Sequence, residues 1–205
     1  MVFLLSAIAQ ATPGKATWTR VIFVGANATH YCTYLIVRDQ PGSYYDYTDR
    51  VYLCQYALKD NGLVDKQLVR ETVYRDTTTN GDWRKQDKLP DPVNAERYLI
   101  ENKMYFLFPS DDLDDYKPSI NWRGIFLTKD RKARLLLSGE SITQMAPGFT
   151  MELEGYGHSK ILNYYRGSGY YFFHIQYGEA AYDGPFDQAI ILVPKAAIEK
   201  VTGRR

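Results

Sequence analysis

One arrangement of residues is written three times along this chain, and a recurring unit limits architecture before any single residue does. In each copy an apolar strand leads into a loop rich in Tyr and Asp. A second apolar strand, a tight turn and a more polar strand follow. The first copy runs Tyr31–Val37, loop 40–49 and Val51–Leu58; the second Met104–Phe108, loop 110–121 and Gly124–Leu127; the third Tyr170–Ile175, loop 178–187 and Ala189–Val193. Leading strands are expected at Arg20–Gly25, Glu96–Glu101 and Ser159–Tyr165, and closing strands at Val64–Tyr74, Arg134–Ser138 and Ile198–Thr202. Matching positions recur roughly every 65 to 73 residues.

The units therefore span 12–75, 96–140 and 159–205. A polar linker covers 76–95, and a second linker, 141–158, contains an extra strand at Thr150–Leu153. Short runs of Val, Ile, Tyr and Phe bounded by Gly, Pro, Asn and Asp are strand signals. No segment sustains a helical period; the best candidate is the short Lys195–Val201. The fold class is all-β, built from antiparallel four-stranded units.

The middle strands are apolar on both faces. In the first copy Tyr31, Thr33, Leu35 and Val37 oppose Cys32, Tyr34 and Ile36; in the third, Ile190 and Leu192 oppose Ala189, Ile191 and Val193. A sheet with one wet face alternates apolar and polar, so two dry faces mean cover on both sides. Small four-stranded sheets with charged outer edges, stacked face to face, resemble β-propeller blades. The resemblance is to the architecture, without the marks of a named family. Three blades are fewer than the usual four to eight. Either two copies share a ring, or the units close as a β-barrel or β-sandwich.

The 205 residues are 45% hydrophobic, enough for a sizeable core. Basic and acidic residues number 25 and 24, so no electrostatic footprint for nucleic acid is visible. No stretch reaches the roughly 18 apolar residues of a membrane-spanning helix. The opening run Met1–Ala11 ends in Ala9-Gln10-Ala11 and reads as the remnant of an export leader, which implies a secreted or periplasmic protein. Cys32 and Cys54 fall near-opposite on the first hairpin. They form either a cross-strand disulfide or a pair of buried thiols.

In a propeller the three loops would share one face. Tyr45, Asp46, Tyr116, Tyr182 and Asp183 would then form a surface for a glycan or protein ligand, with rings to stack and carboxylates to accept hydrogen bonds. Ordinary turn chemistry explains the same residues more simply. Asp111, Asp112, Asp114 and Asp115 supply oxygen ligands of the kind Ca²⁺ takes, but without the spacing of a calcium-binding loop; a solvated acidic turn is the simpler reading. No hydrolase, zinc-protease or phosphate-loop signature is present. Of three histidines, His174 sits in an aromatic strand as a core residue. His158, with Glu152 close by, is the weak candidate for catalysis. The sequence thus favours a non-enzymatic binding or assembly module, acting on a glycan or a protein partner. A glycan or ester hydrolase and a self-associating structural subunit, for example a homodimer, are its rivals.

Overall fold

A computed structural model describes residues 16–40, 46–76, 83–88, 95–146, 149, 159–178 and 187–203. Among the described residues there are three antiparallel sheets, and they are stacked, not closed into a propeller. The first four strands are β1 (Ala16–Ala26), β2 (His30–Gln40), β3 (Tyr47–Ala57) and β4 (Leu63–Asp76). They form the antiparallel meander expected of the first unit. Two further strands extend it at its edges: β5 (Trp83–Lys88) beside β4, and the two-residue β6 (Tyr105–Phe106) beside β1.

Between them lies a correction. Glu96–Glu101, expected as a strand, belongs to helix α1 (Ala95–Glu101). The helix wins because its one buried side presents Tyr98 and Leu99 to the large sheet beside Val24, Cys32 and Leu53. Its end is also well made. Lys103 takes a left-handed turn (φ 52), Lys103 N–H bonds to Ile100 O, and Met104 N–H to Leu99 O. This double closure satisfies carbonyls that a helix end would leave open, and Met104 packs in the same core as Leu99.

A small sheet follows, made of β7 (Pro118–Asn121), β8 (Gly124–Lys129) and β9 (Lys132–Ser138). Asp130 and Arg131 turn β8 into β9 with φ of 51° and 62°, the left-handed pair of a tight hairpin. Helix α2 (Gly139–Met145) then starts on Ser138, whose hydroxyl accepts the Ser141 amide at 3.3 Å. The central sheet is β10 (Lys160–Arg166), β11 (Tyr170–Tyr177) and β12 (Asp187–Pro194). In place of the closing strand expected at Ile198–Thr202 the chain forms α3 (Lys195–Thr202). Pro194 is the last paired residue of β12 and stands at the N-cap of the helix, and Gly203 in a left-handed turn ends it. The expected strand Thr150–Leu153 and the leader Met1–Ala11 lie outside the described residues.

The central sheet is the one covered on both faces. Tyr165, Phe172, Ile190 and Leu192 pack against Val21, Phe23 and Tyr31 of the large sheet. Tyr164, Phe173, Ile191 and Val193 pack the other way, against Ile125 and Leu127 of β8, Ile142 of α2 and Ile198 of α3. At the first contact Phe23 lies 4.6 Å from Tyr165 and 4.7 Å from Phe172, ring centre to ring centre. The first unit is dry on both faces only near His30, where β2 and β3 bury Tyr31, Cys32, Thr33, Leu53 and Cys54. In the second unit the two expected partner strands separate: β6 joins the large sheet while β8 pairs with β7.

Phe172 carries the contact between the two larger sheets. Phe172→Ala should lower stability by about 3–5 kcal/mol, read as a fall in the urea midpoint. A loss below about 1 kcal/mol would mean that the layers are held elsewhere.

Candidate functional site

The second Tyr/Asp loop is a latch. Asp112 accepts hydrogen bonds from Ser110 Oγ (2.7 Å), Arg166 Nη1 (3.2 Å) and Tyr171 OH (2.5 Å). Asp114 accepts from Tyr164 OH at 2.8 Å, and that phenol oxygen accepts the Leu113 amide at 2.9 Å. Burial, then the bond to Asp114, pushes the Tyr164 phenol far above its ordinary range. Tyr116 is buried on the short turn Asp114–Tyr116; its hydroxyl donates to Thr202 O at 3.2 Å. The Lys129 ammonium lies 4.8 Å from the ring centre. Asp111 and Asp115 are exposed. Among the described residues no group of three or more His, Cys, Asp or Glu is set to hold a metal ion.

The loops do not gather at one end. Asp112 and Arg166 hold the second loop at Tyr171, near the start of β11, whereas the third loop leaves after Tyr177. Six residues of strand, about 20 Å, separate the two. The first and third loops do emerge together. Asp187, at the foot of the third loop, accepts both the Thr19 amide and the Thr19 hydroxyl at 2.8 Å, and Thr19 pairs with Val37 near the first loop. Of the residues expected there, Asp46 is half-buried beside β3. Tyr45, Tyr182 and Asp183 lie outside the described residues, as do His158 and Glu152.

That shared end carries a feature that no candidate residue of the sequence pointed to. Arg20 and Arg38 place their guanidinium carbons 4.8 and 4.7 Å from the Trp18 ring centre. Arg38 also sits 4.0 Å over Tyr47, which stacks on Tyr74 at 4.2 Å. Asp49 clamps Arg38 with two bonds of 2.7 Å, which hold it charged. The result is a ladder of rings and guanidinium groups across one sheet face.

A second feature lies at the opposite end of β1. A groove of about 290 Å³, mostly apolar, opens where the β1–β2 and β10–β11 turns meet Tyr105 and Leu107. The most exposed large apolar side chains of the described residues are Phe108 at 82%, Tyr105, which lines the groove, at 74%, and Ile100 of α1 at 69%. Phe106, next to Tyr105 on β6, is 53% exposed. Gly25 admits β6 here, because a Cβ at that position would collide with the Tyr105 carbonyl oxygen.

The buried reactive groups are quiet. Cys32 and Cys54 are both free thiols, so the disulfide alternative is not formed. Cys32 pairs with Gln55 and Cys54 with Thr33, a one-residue offset that sends the two side chains to opposite faces. Burial pushes the Cys32 thiol up to about 12 and raises that of Cys54, which keeps both protonated and unreactive. His174 is a core residue, as expected. Its Nε2 lies 3.0 Å from Gln188 Oε1, the oxygen that also accepts the Val21 amide at 3.2 Å. An amide oxygen only accepts, so Nε2 carries the proton.

The chain matches no family model, no curated protein and no solved structure. Among the described residues no helix is long and apolar enough to cross a membrane.

Burial lowers the His174 pKa below its usual 6.5. The unfolded chain then takes up the extra proton first as pH falls. The stability this group contributes is whole above about pH 6.5 and drains as pH drops towards the folded value. Urea midpoints should therefore fall between pH 8 and pH 5, and by less in His174→Gln. An identical pH slope in the variant would remove His174 as the cause.

Proposed function

We propose that this chain is a non-enzymatic binding or assembly module that works through the apolar edge at Tyr105–Phe108 and the groove beside it. One observation carries the reading: the aromatic side chains of Tyr105, Phe106 and Phe108 stand in solvent on and just beyond the two-residue β6, the edge strand of the large sheet among the described residues. A protein commonly guards such an edge with charge, Pro or cover, and a contiguous apolar patch marks an interaction surface. The quiet chemistry of the described interior supports binding over catalysis. Its shifted phenols and thiols are all held neutral by burial, and His174 is committed to a structural bond. An apolar dye, anilinonaphthalene sulfonate, should bind the native chain, and Phe106→Ser with Phe108→Ser should cut its fluorescence severalfold without moving the thermal melt. Unchanged dye uptake would end this reading.

The shared end of the first and third loops supports a second reading, a surface for an acidic glycan. The flat rings of Trp18 and Tyr74 suit sugar faces, and Arg20 supplies an exposed cation. Titration calorimetry with a uronate oligosaccharide should give heat that Trp18→Ala removes. No heat from the native chain would dismiss it.

A further inference from the structure

The apolar edge has a symmetry in its sequence. Leu107 sits at the middle of Lys103-Met104-Tyr105-Phe106-Leu107-Phe108-Pro109-Ser110-Asp111. A cation stands four residues before it and an anion four residues after, and both are exposed. We infer that the partner of this edge is a second copy of the chain, docked antiparallel about a two-fold axis through Leu107. The inference rests on the reading of 105–108 as the working surface, and it names what covers it.

The arrangement pairs ring with ring and cation with anion. Phe106 faces Phe108 of the second copy, and the axis repeats that contact. Lys103 faces Asp111 of the second copy, again twice. An isologous interface demands this self-complementarity, since each patch must be its own partner. Aromatic cross-strand pairs are among the stronger sheet contacts. Lys103 leaves the strand line in its left-handed turn (φ 52), and its long flexible stem lets the ammonium reach back to the carboxylate. Pro109, which pairs with Tyr165 of β10, stops the edge from running on into a fibre-like ladder.

Size sets the strength. Each aromatic side chain offers about 150–250 Å². The exposed parts of Tyr105, Phe106 and Phe108 thus amount to about 400 Å² per copy, or about 800 Å² in all, below the standard interface. The dimer is accordingly weak, with a dissociation constant of about 10 µM or more.

Sedimentation velocity on the full chain tests it, from about 1 µM to about 1 mM. The native chain should shift from monomer to dimer across that range. Phe106→Ser with Phe108→Ser should stay monomeric with an unchanged melt. Lys103→Asp alone and Asp111→Lys alone should each weaken the dimer about fivefold to tenfold. Mixing the two single variants should restore association, because every facing pair is then opposite in charge. A strict monomer at the highest concentration overturns the inference, and so does a dimer indifferent to the Phe changes. A mixture no tighter than its components overturns the two-fold register. A monomer that still takes up the apolar dye at Phe106 and Phe108 defeats only the second copy as partner. Loss of dye binding as well would remove the binding surface itself.

Discussion

Everything in this fold hangs on one alternation, Phe172 facing one neighbour and Phe173 the other. A strand that is apolar at successive positions must have both faces covered, because either ring left in water forfeits about 1.5–3 kcal/mol of burial. β11 therefore draws a layer to each side. The Phe172 face, with Tyr165 beside it, draws the large sheet through Phe23 and Tyr31. The Phe173 face draws β8 and the helices α2 and α3. The order of layers follows from this strand, and the three sheets are a stack because only the middle one is dry throughout.

The stack leaves β1 with an unusual edge. Over most of its length no strand among the described residues pairs with it on the side away from β2; Asp187 and Gln188 of β12 instead accept its Thr19 and Val21 amides. Side-chain oxygens stand in for a ladder there, and His174 fixes the Gln188 amide that does so. Only at Gly25 and Ala26 does β1 gain a strand partner, β6. The exposed aromatics of 105–108 result from that placement. The segment ties β1 of one sheet to β10 of the next, through Pro109 and the Ser110 amide bonded to Tyr164 O, with little beyond it to bury its outer side.

Much of the β architecture could be read from residue patterns. The four-strand first unit, the hairpins at Asn27, Asp60, Asp130 and Ser168, and the two dry faces of β11 and β12 all follow from period-two apolar runs ended by turn formers. Two strands were misread. Glu96–Glu101 and Ile198–Thr202 hold apolar residues in runs too short to separate a strand from a helix by period. End chemistry settles them: the closure at Lys103 and Met104, and Pro194 with Gly203. The candidate sites were less legible. Asp112, Asp114 and Tyr116 look alike whether they meet a ligand or latch a loop to Tyr171, Tyr164 and Thr202.

By itself the sequence determined the class of structure: antiparallel strands, their hairpin turns, and a central hairpin that could not stand in water on either side. Those are local facts, set by side-chain alternation and turn geometry. The tertiary structure alone decided which sheet each middle strand joined, that the cysteines point apart, and that the second Tyr/Asp loop is held at the other end from the first and third. It also decided that Phe106 and Phe108 stand outside. Pairing partners lie many residues apart, and a one-residue change of register or a change of neighbour exchanges buried for exposed without altering a single residue.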